Sequence, residues 1–367
     1  MPTYVFTGSL TRPMPQYGAA NGRGITQLGW DAGAGGLSCI GETRGIDDTA
    51  WLVLDQSRRV LYATFERTGT DQSAVAAYAV SPADGGLKLL NIQPTLGGEA
   101  CHASLSLDGR FLLVANYNGA TPPGWPENAV SVFPLRPDGA LDPAVCTVRH
   151  HGAGPNAQRQ TTAHAHCVVP SPGGRMVYVA DLGIDRLFAY ELSAGGQLVP
   201  RPASDFRLPP GLGPRHLVFS ADGRRLFLVS ELIPTVMSFA VDPGDGSLSL
   251  VHSVSIPPSG DTIVQPAGIV LTGDDRFLIV SLRVCNEILG LAVDAETGRL
   301  TPTGRWSSGG ATPRDLAFSP SGDHLIVANQ DSDTVSVFAF DRETGTLAGP
   351  VHQQPVGTPM AVKIATF

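Results

Sequence analysis

The stretch GPRHLVFSADGRRLFLVSEL, residues 213 to 232, sets Arg215 and His216 before one apolar run and Glu231 directly after the next. A guanidinium grips anions and developing negative charge, and an imidazole exchanges protons near neutral pH. A carboxylate orients or polarises either of them. Together the three types suit acid-base chemistry on an acyl group, provided the two runs pair as an antiparallel hairpin. The start of the first run and the end of the second then lie side by side.

The rest of the chain supplies that condition several times over. The same order of apolar run, Gly- or Asp-containing turn, second apolar run, polar gap, third run and a closing GxL recurs in six copies. Leu61, Leu112, Val177, Leu226, Leu278 and Leu325 occupy matching places in the second run, about fifty residues apart, with one longer interval between Leu112 and Val177. Runs such as LLVAN, VYVAD and LFLVS are strand-sized and rich in β formers, and a period near fifty with several short strands describes four-stranded propeller blades. The chain ends supply one more blade. GTPMAVKIATF has the pattern of an innermost strand without a successor, while TYVFTGS, GITQLGW and LSCIGET are three strands without an innermost partner. Joined, they close the ring and leave no open edge. The predicted fold is therefore all-β: one seven-bladed β-propeller domain over residues 1–367, closed by N- and C-terminal strands that share a blade. The long interval places an insertion near residues 145–166, expected over the channel mouth.

Within this frame the polar residues fall into two slots. Ten residues before the repeat leucine stand Trp51, His102, His216, Gly268 and Asp315, with His166 assigned to the same slot by one extra residue in the third copy. Five residues after it stand Glu66, Tyr117, Leu182, Glu231, Arg283 and Gln330. Both slots are expected on one rim of the channel, with Arg215 and Arg314 beside them. Taken singly, each histidine has an alternative role as an inter-blade hydrogen bond, and each Arg–Glu combination as an inter-blade salt bridge. Recurrence of ionisable residues in slots that converge on one channel points to a functional mouth.

Composition removes other classes. A formal net charge of −8 and pI near 5.5 oppose a nucleic-acid binder, and no Lys/Arg cluster suits an anionic membrane. The five cysteines are scattered with no CxxC pair, which fits reduced thiols in a cytoplasm; Cys101 and Cys167, each beside a histidine, read as buried structural residues. The first residues lack a basic region followed by an apolar one, and no stretch approaches the length of a membrane span, so a cytoplasmic protein is expected. GAGGLSCIG, residues 33 to 41, misses GxGxxG spacing and reads as a β-turn; GxSxG and CxxCH are absent. A metal held by Glu66, Glu231 and the histidines is geometrically conceivable, yet no ligand spacing demands one, and no cofactor is expected.

At these residues the sequence resembles the seven-bladed lactonase family that includes bacterial propeller-type 6-phosphogluconolactonases and fungal carboxy-cis,cis-muconate lactonising enzymes. The resemblance spans essentially the whole chain. It is carried by CHASLSLDGRFLLVANYNGA, GPNAQRQTTAHAHCVVPSPGGRMVYVADLGIDRLFAY, GPRHLVFSADGRRLFLVSEL and TPRDLAFSPSGDHLIVANQDSDTVSVF. It implies His166 in HAHC as the catalytic histidine, Arg215 in GPRH and Arg283 in SLRV as the two arginines, and Glu231 in SEL as the glutamate. His102, Tyr117, Asn156, Arg159, His164, His216, Arg314 and Glu66 are the accompanying substrate-binding candidates. The implied activity is metal-free hydrolysis of a sugar-acid lactone such as 6-phosphogluconolactone, with a small-molecule lactone as partner and neither nucleic acid nor membrane. In that hydrolysis either His166 or Glu231 can be the base. Two other readings remain: a muconate cycloisomerase on the same site, in which a substrate carboxylate adds to a double bond and one of the same groups protonates carbon, and a non-enzymatic propeller scaffold. The sequence sets no oligomeric state. It departs from its relatives at the fifth blade, which opens QPAGIVLTGDDRF, and at NGATPPGWPENAV, residues 118 to 130, an apparent insertion over the rim.

Overall fold

The computed structural model describes residues 1–13, 20–66, 73–118 and 127–367. Most of the proposed rim insertion at 118 to 130 therefore lies outside the described residues. The strands assemble into seven antiparallel sheets of four strands; the third gains a two-residue extra strand, Phe206–Arg207. Their innermost strands are Thr49–Asp55, Ala100–Leu105, Ala165–Pro170, Pro214–Phe219, Gln265–Leu271, Pro313–Phe318 and Pro359–Thr366, in blades one to seven. Each touches the next, and the last returns to the first, so the ring closes. The seventh blade is the predicted composite: Pro359–Thr366 pairs antiparallel with Thr3–Ser9, which leads outward to Ile25–Asp31 and Gly36–Thr43.

The architecture follows from where apolar side chains can hide. Second strands such as Phe111–Asn116 and Met176–Asp181 are buried along their whole length because each is covered on both faces by neighbouring blades. Outermost strands such as Leu248–Ser255 expose much of their length to solvent. The apolar clusters accordingly straddle blade boundaries: Tyr4, Phe6 and Ile25 of the seventh blade pack with Leu52, Phe65 and Tyr78 of the first. The recurring GxL glycine serves the same contacts. Gly139 and Gly246 sit at φ 83° and 74° in the turn before the outermost strand, where a Cβ would come within 2.6 Å of Val60 and 2.8 Å of the Tyr178 hydroxyl on the preceding blade. The carbonyls of these two glycines accept hydrogen bonds from Tyr62 Oη and Tyr178 Oη. Of GAGGLSCIG, expected as a β-turn, only residues 33–35 lie in the corresponding turn of the seventh blade; residues 36–41 are already part of its outermost strand, Gly36–Thr43.

One irregularity repeats and matters for the site. Near its start every innermost strand carries one residue more than its partner, a β-bulge. The extra residues are Ala50, Cys101, His166, Arg215, Arg314 and Met360, with Ala267 and Gly268 together opposing Ser281 in the fifth blade. This corrects the register of the third copy. Val177 pairs with Pro170 just as Leu226 pairs with Phe219, so there is no extra residue, and Cys167, not His166, shares the slot of His102 and His216. His166 belongs with Arg215 and Arg314. The long interval also resolves: Cys146–Val148 is the ordinary outer strand of the second blade and Ala165 begins the third blade, leaving a loop over 149–164. Among the described residues no helix is long and apolar enough to cross a membrane.

Candidate active site

A bulge turns one side chain of each innermost strand out of the alternating pattern, and seven such strands around one axis bring those side chains together. Ala50, Cys101, His166, Arg215, Arg314 and Met360 line a cavity at the channel mouth with Trp51, Glu66 and His216. Its free space is about 10 Å³, roughly what one water molecule requires.

Glu231, which follows the second strand of the fourth blade, is the electrostatic centre. Its Oε2 accepts hydrogen bonds from Arg215 Nε at 2.9 Å and lies 2.9 Å from Arg283 Nη2. Its Oε1 accepts from Arg159 Nη2 at 2.7 Å and from Gln265 Nε2 at 3.4 Å. Burial alone would raise this carboxyl, but the guanidiniums of Arg283, Arg215 and Arg159 hold it well below the usual carboxylate range. Arg215 is itself buried, which together with the neighbouring Arg283 pulls it down to about 10, leaving it cationic at neutral pH. Glu66 and Arg314 stand opposite, 3.9 Å apart.

The imidazoles have the reverse character. His166 is pushed well below its ordinary value by burial and by the Arg215 charge, and His216 by the same two causes in the same order. His102 is driven to about 3 by burial, then by Lys363 and Arg215. All three are neutral at physiological pH. Arg215 Nη1 accordingly lies 3.1 Å from His216 Nε2, a contact that requires an unprotonated acceptor. The rings pack edge to face, His166 on His216 with centroids 5.3 Å apart and His102 on His216 at 5.4 Å. Tyr117 stacks on His164 at 4.4 Å and meets His166 edge-on, while its hydroxyl accepts a hydrogen bond from Arg159 at 3.2 Å. Among the described residues no group of three or more His, Cys, Asp or Glu is placed to hold a metal ion.

A closed ring of four-stranded blades with this mouth invites comparison with known proteins. The family model described as lactonase, 7-bladed β-propeller, matches residues 4–364. The chain belongs to that family. It is 31% identical over 319 residues to the 6-phosphogluconolactonase of Bacillus subtilis, covering 87% of each chain. With the 6-phosphogluconolactonase of Formosa agariphila it shares 29% identity over 367 residues, 99% of each. Among solved structures, the periplasmic gluconolactonase of Pseudomonas aeruginosa superposes with a TM-score of 0.89 at 33% identity over 99% of both chains.

Within this lactonase-family mouth the structure brings together His166, Arg215, Glu231, Arg283, Arg159, Tyr117 and His164, with Glu66 and Arg314 across the cavity. Two candidates sit elsewhere in the hydrogen-bond network. His102 lies one residue below the bulge ring, where its Nδ1 accepts from the Val168 amide at 3.4 Å and its Nε2 is 3.5 Å from Cys167 Sγ, a tie between the second and third blades. Asn156 turns its side-chain oxygen to the backbone amides of Gln158 and Arg159, both at 3.1 Å, and so shapes the loop that carries Arg159. Two residues were missed. Gln265, which opens the seemingly apolar fifth blade, restores a polar group against Glu231. Cys101 lines the cavity with its sulfur 3.9 Å from His166 Nδ1 and its thiol pushed well up by burial. A partial signal was available: Cys101 shares its repeat position with His166, Arg215 and Arg314 but also with Ala50 and Met360, and Gln265 shares its own with Asp48, Glu99, His164 and Thr312 but also with Gly213.

Burying neutral imidazoles couples folding to pH. Below about pH 6.5 the unfolded chain takes up protons that folded His102, His166 and His216 refuse, so each site removes about 1.4 kcal/mol of stability per pH unit. This penalty is absent above pH 6.5 and grows as pH falls toward the depressed folded-state values. Urea unfolding is expected to give a level midpoint from pH 8 to 7 and a steady decline from pH 6.5 to 5; a midpoint independent of pH down to 5 contradicts the neutral buried state.

Proposed function

We propose that this protein hydrolyses the ring ester of a sugar-acid lactone, of the 6-phosphogluconolactone type, at the channel mouth, with the whole chain acting as one propeller unit. The observation that carries the reading is His166: an unprotonated, buried imidazole beside a cationic guanidinium in a cavity with room for one water. The named activities of the relatives, 6-phosphogluconolactonase and gluconolactonase, point the same way.

In this mechanism His166 removes a proton from water as the oxygen attacks the lactone carbonyl carbon. The carbonyl π electrons move onto oxygen, and the resulting oxyanion is stabilised by Arg215 and Arg283, already fixed in direction by Glu231 and costing no reorganisation during the reaction. Collapse of the tetrahedral intermediate breaks the ring C–O bond. Protonated His166 returns its proton to the departing ring oxygen, giving the open hydroxy acid. Glu231 is assigned as the positioning carboxylate rather than the base, because both of its oxygens are engaged by guanidiniums and its affinity for a proton is low. A cytoplasmic location belongs to the same proposal and is supported by five free cysteines.

The test is proton release from 6-phosphoglucono-lactone, glucono-lactone and a muconolactone, with and without chelator. Hydrolysis of a sugar-acid lactone that chelator does not affect is expected. No turnover of any of the three overturns the hydrolase assignment and directs attention to muconate cyclisation.

A further inference from the structure

Four arginines approach this mouth, and one of them differs from the rest. The side chain of Arg215 is 2% exposed and those of Arg283 and Arg314 are each 11% exposed, whereas Arg159 is 36% exposed. Arg215, Arg283 and Arg314 stand on or beside blade strands; Arg159 stands on the loop over 149–164. The backbone of that loop is pinned. Gln160 donates from Nε2 to the Leu182 carbonyl and to Asp185 Oδ1, both at 2.8 Å, and the Gln160 carbonyl accepts from the Gly154 amide. The root of Arg159 is thus held while its head remains accessible.

The hydrogen bonding of that head is equally distinct. Both of its contacts, to Glu231 Oε1 and to Tyr117 Oη, leave from the single nitrogen Nη2. Nε and Nη1 make no hydrogen bond among the described residues, so most of a planar five-donor fork is available to a ligand. Nor is Arg159 the sole counter-charge of Glu231: Oε2, the oxygen that Arg159 does not touch, lies 2.9 Å from both Arg215 and Arg283. Withdrawing Arg215 or Arg283 would strip a buried carboxylate; turning Arg159 away exchanges one contact at a half-exposed position.

We propose that Arg159 is the specificity determinant of the site: it leaves Glu231 for an anionic substituent, phosphate or carboxylate, carried by the lactone away from its acyl carbon. The inference rests on the hydrolase reading. It adds that the enzyme selects anionic over neutral lactones and that this selection resides in one side chain of the inserted loop.

Steady-state kinetics of wild type, Arg159→Gln and Arg159→Lys on 6-phosphoglucono-lactone, a glucaro-lactone bearing a carboxylate and uncharged glucono-lactone read the effect as a ratio. In Arg159→Gln the preference of kcat/KM for the matching anionic lactone over the neutral one is expected to fall roughly 10- to 100-fold, as when one charge-assisted pair is lost. The loss should lie mainly in KM, with partial recovery in Arg159→Lys and an unaltered pH profile. The anionic lactone that loses its advantage identifies phosphate or carboxylate as the group read. Inorganic phosphate should compete with glucono-lactone in wild type and compete at least 10-fold less well in Arg159→Gln. A parallel fall on charged and neutral lactones, with the preference unchanged, overturns the inference and leaves Arg159 a support for Glu231. Failure of wild type on all three lactones overturns the hydrolase reading itself, and the two failures are therefore distinct.

Discussion

His166→Ala is expected to lower kcat on the lactone substrate by a factor of about 10² to 10⁴, the usual contribution of a positioned general base. KM should change little, because the substitution removes a proton acceptor and no anion-gripping group. The pH profile separates this role from a structural one. The wild-type imidazole is held well below its ordinary value by burial and by Arg215, so it stays unprotonated as the medium is acidified through pH 6.5. The acid limb of kcat/KM should therefore lie well below pH 6.5 in wild type and disappear from the residual rate of His166→Ala. A wild-type limb at or above 6.5, or a variant that keeps more than a tenth of wild-type kcat, removes His166 from the role of base.

Glu231→Gln should be the most damaging single substitution for stability in the mouth. Its carboxylate is shared by Arg215, Arg283 and Arg159, of which Arg215 is 2% exposed. Removing the anion leaves buried cations facing one another, a loss of about 3–5 kcal/mol typical of breaking a buried ion pair from one side. Replacing both partners distinguishes the terms. The double variant Glu231→Met, Arg215→Met should regain much of the lost stability, since burying neither charge avoids the desolvation cost, while lactone hydrolysis stays abolished. Urea unfolding of the two single variants and the double variant measures the coupling. Additive losses in the double variant would mean that the Arg215–Glu231 contact carries little energy, and an active double variant would remove Arg215 from oxyanion stabilisation.

Much of the fold was legible because propeller blades repeat. Six recurrences of a strand-turn-strand pattern, and a leftover innermost strand at one end matched to three unpartnered strands at the other, specify seven blades without any coordinates. The two rim slots were legible for the same reason: a residue at a given place in each hairpin must face the axis if the hairpins are arranged alike. The register error at His166 shows the limit of that reasoning. Ten residues before Val177 stands Cys167, and His166 joins His102 and His216 only if the third copy carries an extra residue, which the strand pairing does not contain. Hydrogen-bond pairing places it with Arg215 and Arg314. Loop residues were harder still. Arg159 and Asn156 are three positions apart on a segment without periodicity; one reaches Glu231, which lies 72 residues away in sequence, and the other turns back to its own loop.

By itself, then, the sequence determined the all-β class, the seven-blade count, the composite closing blade and the residue types available at the channel mouth. Each of these depends on local periodicity and on the number of repeats, which a linear chain records directly. Tertiary structure alone decided the charge states and partnerships: that Glu231 is enclosed by guanidiniums and held ionised, that His166 is neutral, and that Arg159 keeps an accessible head. Those properties arise from burial and from distances between groups on different blades and loops, and electrostatic energies vary steeply with both.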